Sequence, residues 1–199
     1  MITATYQSPL GAIQLVADER GLTGLWFADA YPDALSDEFS RATPVVPFCN
    51  PEPSGTEMEE IAGTDSESGA SGMNCEHPGN AVALGVIERT WGWLNSYFAG
   101  QAPLWLPPLR LEGGELEHEV CAALLAVPYG ETVSLDELAL RVGRRFAGDG
   151  ALTTGPDEVA ASVQSLAVSL VVPAHRLEDS QGVIGQNLRD FERASLRSR

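Results

Sequence analysis

The chain contains no lysine. All twelve basic side chains are arginines, set against 28 acids, for a formal net charge of −16 over 199 residues. That balance counts against a strongly electrostatic nucleic-acid binder, because phosphate affinity comes largely from basic side chains releasing counterions. Long apolar runs are also missing: none approaches the roughly 18 residues that span a bilayer. The opening MITATYQSPLG has no basic-then-apolar targeting pattern, so the reading is a cytoplasmic protein with no membrane partner. Cysteine is scarce, and Cys49, Cys75 and Cys121 are an odd number, which points to reduced thiols. A zinc site from Cys49, Cys75 and His77 lacks a fourth ligand and a rigid frame. Neither metal nor cofactor is expected.

What is present divides unevenly. Residues 28 to 80 carry eleven acids and one arginine, a balance of −10, whereas residues 116 to 199 carry twelve acids and eight arginines, a balance of −4. With 44% apolar residues the chain can build a proper core. Ile13, Leu15 and Ala17 alternate before DERG, and Leu22 to Phe27 returns, which reads as a β-hairpin. The stretch from about 42 to 80 is rich in Gly, Ser, Pro and Glu without period, so it reads as a disordered acidic insertion. Leu84, Ile87, Trp91, Leu94 and Phe98 then mark an amphipathic helix ending at Gly100.

The expected organisation is an N-terminal α/β domain over 1–100, a proline-bearing linker over 101–115, and a mainly helical domain over 116–199. In that last part Val120, Ala123, Leu124 and Val127 share a helix face. SLDELALRVG opens on a capping box, Ser134 with Glu137, and stops at Gly143. GPDEVAASVQS begins another helix at Pro156, with acids in its first turn. Two short helices joined by a turn make a helix-turn-helix-like arrangement, which by itself is weak evidence for DNA.

In combination, SPLGAIQLVADERGLTGLWF, WGWLNSYFAGQ, LLAVPYGETVSLDELALRVG and VVPAHRL resemble the O6-alkylguanine-DNA alkyltransferases, which move an alkyl group from a guanine oxygen to their own cysteine. The resemblance implies a small ribonuclease-H-like sheet followed by a helical domain with a winged-helix-like helix-turn-helix that binds duplex DNA. It also implies a thiolate helped by a histidine linked to a glutamate. The chain is similar to the family's alkyltransferase-like subgroup, whose members lack the cysteine.

Carried over position by position, the resemblance leaves gaps. The acceptor position is Ala174, beside the matching His175 and Arg176. The family's intercalating arginine falls on Asp157, its phosphate-pressing tyrosine on Leu135 and its hinge asparagine on Leu166. The paired glycines of its guanine-pocket loop are missing from GQNLRDF. Counted forward through FERASLRSR, the glutamate partner falls beyond Arg199. His175 and Arg176 are therefore expected to hold the loop by hydrogen bonds to backbone carbonyls.

The DNA-facing candidates that remain are Ser134, Arg144, Arg145, Ala160, Ala161 and Arg176. Asp157 and Glu158 read as acids that complement a helix dipole. Cys121 reads as a small core residue, and His118 as a solvated helix residue. Three functions stay open. One is an inactive, monomeric alkyltransferase homologue whose DNA binding is weak or lost. Another is a binder of O6-alkylguanine lesions that passes them, without repair, to other repair proteins. The last is a methyltransferase using another thiol.

Overall fold

Alternation at the N-terminus produces a sheet before it produces a helix. The computed structural model describes residues 1–27, 43–44, 78–146, 155–178 and 182–197. Strand β1 (Ile2–Ser8) turns Ile2, Ala4 and Tyr6 inward at period two, the pattern of a strand with one face on a core. It pairs antiparallel with β2 (Gly11–Ala17), and β2 pairs antiparallel with β3 (Leu22–Phe27). The β2–β3 pair is the hairpin read from the sequence. Its turn is held by Asp18, whose Oδ1 accepts the backbone N–H of Arg20 at 2.8 Å and of Gly21 at 3.1 Å. β1 extends it to a meander that the sequence reading did not foresee.

A two-residue strand, β4 (Thr43–Pro44), runs parallel to β1 and gives the order β3-β2-β1-β4. Those two residues belong to the stretch expected to be a disordered insertion, as does the beginning of helix α1 (Pro78–Phe98). The rest of that stretch, with Cys49, Cys75 and His77, lies outside the described residues.

Helix α1 buries more than the expected stripe. Ile87 and Leu94 are buried and Leu84, Trp91 and Phe98 pack at the margin. Ala83, Val86, Thr90, Trp93 and Tyr97 are buried as well, because the helix is covered both by the sheet and by the C-terminal half. Tyr6 fixes the sheet side by donating its hydroxyl to Asn95 Oδ1 at 2.9 Å.

Helices α2 (Glu115–Leu125), α3 (Leu135–Phe146) and α4 (Pro156–Gln164) pack on one another through Val120, Leu124, Leu138, Val142 and Val159, each fully buried. Glu117 and Glu158 each accept the N–H of the glycine preceding their helix, so Glu158, read from the sequence as a first-turn acid complementing the helix dipole, also caps the helix. Ser134 accepts the Glu137 N–H at 3.2 Å, while the Glu137 carboxylate turns to Arg141 instead of closing the box.

Helix α3 does not stop at Gly143. Gly143 has no left-handed φ, buried Val142 keeps its turn on the core, and the helix runs through Arg144 and Arg145 to Phe146. The final helix, α5, spans Val183–Arg197. Among the described residues no helix is long and apolar enough to cross a membrane.

The outer edge of β3 is used twice. Leu22 exchanges backbone hydrogen bonds with Pro108 and Arg110 at 2.8 and 2.9 Å, and Leu25 donates to Ala167 O at 2.7 Å. A strand edge that would otherwise expose unpaired groups is thus covered by the segment between the halves and by the segment leading to Pro173. One core cluster contains residues from both halves.

Candidate functional site

The segment after α4 is placed by the N-terminal sheet. Val168 bridges Leu25, and Leu170, Val171 and Val172 are buried behind it. Pro173 then leads into a single 3-10 turn, Ala174–Arg176, closed by Arg176 N–H to Pro173 O at 3.0 Å and Leu177 N–H to Ala174 O at 3.2 Å. On the exit side Val133 and Leu177 form a bridge, with Val133 N–H on Arg176 O and Glu178 N–H on Val133 O, both at 2.9 Å. The turn is pinned at both ends, and its first side chain is the half-buried methyl of Ala174.

The next two side chains converge on one carboxylate. Glu192 of α5 is 1% exposed. Its Oε1 accepts from His175 Nε2 at 2.8 Å, Tyr97 O–H at 2.9 Å and Arg176 Nη2 at 2.9 Å. Its Oε2 accepts from Gly130 N–H at 2.8 Å and Arg176 Nε at 3.1 Å. Arg176 also donates Nη1 to Val127 O at 2.7 Å and lies 5.5 Å from the Tyr129 ring centroid. Burial alone would raise the Glu192 carboxyl; the hydrogen bonds and charges of His175 and Arg176 overcome it and bring the carboxyl down to about 2.

Burial pushes the His175 imidazole below its ordinary value. The pull of Glu192 does not restore it, because Arg176 and Arg189 oppose a further positive charge. A neutral imidazole facing an ionised carboxylate carries its proton on Nε2. Nδ1 is then a lone-pair acceptor, buried and without a hydrogen-bond partner among the described residues.

Two expectations are corrected here. The glutamate partner is within the chain: it is Glu192, not a residue beyond Arg199. Forward counting assumed a loop over Gly185 to Phe191, but that stretch is already inside α5, so an acid arrives at the imidazole earlier. The signal was available, since Leu188, Phe191, Glu192 and Ser195 recur at helical spacing with an acid within an apolar stripe. Arg176, expected to face DNA, instead turns its guanidinium inward onto Glu192, its side chain 12% exposed. It does bond a backbone carbonyl, as the loop-holding reading had it; His175 bonds the carboxylate instead.

The other candidates lie elsewhere. Ser134 caps α3, Arg144 is exposed near its end, and Arg145 is on the same helix with its side chain outside the description. Ala160 is half-buried and Ala161 exposed on α4, behind the exposed Asp157 at its start. Leu135 and Leu166 pack at the core margin. Cys121 is 1% exposed in α2, and burial, helped by Glu117, pushes its thiol up to about 11. His118 is exposed, with Nδ1 2.7 Å from Gly114 O. Outside the turn, an open groove of about 400 Å³ runs between Thr132, Glu178 and the Gln186, Arg189, Asp190 and Arg193 face of α5.

Residues 1–107 match the family model described as the 6-O-methylguanine DNA methyltransferase ribonuclease-like domain, and residues 115–197 match the model of that family's DNA binding domain. The chain belongs to the 6-O-methylguanine DNA methyltransferase family. Among relatives named methylated-DNA–protein-cysteine methyltransferase, that of Mycobacterium leprae is 38% identical over 98 residues, 49% of this chain and 54% of that protein. That of Mycobacterium bovis is 34% identical over 106 residues, 53% of this chain and 56% of that protein. The chain thus spans about half the length of the curated family relatives it matches.

The fold is that of the Mycobacterium tuberculosis O6-methylguanine methyltransferase. The crystal structure of that protein in complex with DNA aligns over 98% of this chain and 94% of its own, at 21% identity and a TM-score of 0.62.

Proposed function

We propose that this family member keeps the frame of an alkyl-acceptor site without performing the transfer, and that its affinity for duplex DNA is weak. The carrying observation is the 3-10 turn itself. Its next two side chains, His175 and Arg176, are bound to Glu192, while its first side chain is a methyl group, which has no lone pair to attack an alkyl carbon. Two features support the weak affinity: the exposed Asp157 and Glu158 at the start of α4, and a helical α5 where the resemblance implies a glycine-rich wall for the guanine.

The test is a titration of duplexes with and without a single O6-methylguanine, followed by fluorescence anisotropy, together with transfer of a labelled methyl group to protein. The reading expects weak, non-selective binding that disappears with salt, and no label on the chain. Ala174→Cys should create a thiol that reacts with iodoacetamide at lower pH than an ordinary cysteine near 8.5, because His175 Nδ1 can take its proton.

A second reading is favoured by the small residues Ala160 and Ala161 at the surface of α4. It makes the chain a lesion binder that presents O6-alkylguanine to other repair proteins, and lesion-selective tight binding would establish it over the first. Transfer through another thiol would require label that disappears with Cys121→Ser. The buried position and raised thiol of Cys121 weigh against it.

A further inference from the structure

The network around Glu192 draws one member from the other half of the chain. Tyr97, near the end of α1, is 78 residues from His175 in sequence and 1% exposed. Its ring stacks on Trp93 at 5.3 Å and meets Phe98, Tyr129 and Phe191 at 5.2, 5.8 and 5.9 Å. None of those ring contacts needs the hydroxyl. The hydroxyl nevertheless reaches Glu192 Oε1 at 2.9 Å and lies 3.4 Å from His175 Nε2. Burial and the Glu192 charge push the phenol up, so at neutral pH it keeps its proton and donates it.

From this geometry we infer that Tyr97 is a positioning residue of the site: it fixes the Glu192 carboxylate, and through it the Nε2–H tautomer of His175, which leaves Nδ1 as the open acceptor beside Ala174. The inference rests on the reading of that turn as the family's acceptor site. Oε1 takes donors from three residues, and the Tyr97 proton neutralises part of the charge that His175 would otherwise feel. The charged and titratable groups bearing on the imidazole are Glu192 and Arg189 from α5, Arg176 from the turn and Tyr97 from α1, with Tyr129 beside Tyr97. Without the Tyr97 O–H, the carboxylate is a stronger partner for an imidazolium and the imidazole becomes easier to protonate.

The decisive experiment is nitrogen-15 NMR of the histidine imidazoles in the full chain and in Tyr97→Phe, which keeps the ring and removes the hydroxyl. The wild-type chain should show His175 as the neutral Nε2–H tautomer. Tyr97→Phe should raise its protonation midpoint by about one pH unit, the equivalent of one hydrogen bond to the carboxylate.

An unchanged midpoint and tautomer, with only the melting temperature lowered, would mean that Tyr97 is packing alone and would overturn the inference. Should Tyr97→Phe not fold, the wild-type protein decides. A slowly exchanging Tyr97 hydroxyl proton close in space to the His175 Nε2 proton supports the inference, and failure to find that pair refutes it. The underlying reading fails separately, if the thiol of Ala174→Cys reacts identically with and without His175→Gln.

Discussion

Glu192 is where a single atom exchange has the largest reach. Glu192→Gln removes the countercharge of a buried guanidinium, and breaking a buried pair in this way costs about 3–5 kcal/mol; urea unfolding at pH 7 measures it. The pH dependence follows from the two shifted groups. His175 titrates in the folded state below its ordinary 6.5, so the unfolded chain binds the proton first and stability starts to fall as the pH drops through 6.5. Glu192 moves from 4.5 to about 2, so its contribution, about 3 kcal/mol, is complete above 4.5 and lost as the pH falls toward 2. Unfolding curves at pH 7, 5.5 and 3 should show both losses, and Glu192→Gln should remove the lower one.

At this scale His175 and Arg176 were legible because they stand in a short motif. Their partner was not, since its place depends on how many residues α5 takes up before reaching it. Tyr97 was hidden for another reason: an aromatic residue in an amphipathic helix looks like core until its hydroxyl is seen to have a use.

Elements were read well where the hydrophobic period was clear, as in the β2–β3 hairpin and in α2. Helix α3 was misread because Gly143, unlike Gly100, does not end its helix. Gly143 has helical φ, and a Cβ built there meets nothing within 4 Å. Gly143→Ala should therefore stabilise the protein by about 0.5–1 kcal/mol by restricting the unfolded chain, visible as a higher melting temperature. Gly21 is the opposite case. Its φ is +159°, and a Cβ would lie 2.9 Å from three backbone atoms of Pro108 to Arg110. Gly21→Ala should cost about 2 kcal/mol or more, since backbone cannot yield as a side-chain tip can, and the same denaturation assay reads it. Nothing local in DERG announces that contact, because the neighbour comes from more than eighty residues away.

Across the whole molecule the class was legible: a small sheet followed by packed helices, with the acids concentrated before α1. The connection between the halves was less so. The sequence suggested two units and a linker; it carried no sign that Leu109 and Val168 both pair with β3 or that apolar residues of both halves join one cluster. Long-range backbone pairing of this kind leaves no trace in periodicity. Its measurable consequence is cooperativity: fluorescence of the tryptophans, three of which lie in the N-terminal half, and far-ultraviolet circular dichroism should report one coincident unfolding transition. Two separated transitions would contradict it.

The saturation of Glu192 bears on what descent can reveal here. Five donors from four residues, drawn from α1, from Gly130 after α2 and from the 3-10 turn, converge on that carboxylate. A lineage that stopped needing an alkyl acceptor could exchange a cysteine for alanine with little effect on folding, yet could not discard His175, Arg176 or Glu192 one at a time without leaving a buried charge or donor stranded. His175, Arg176 and Glu192 are thus tied to one another by folding, whereas the half-buried methyl of Ala174 carries none of those bonds.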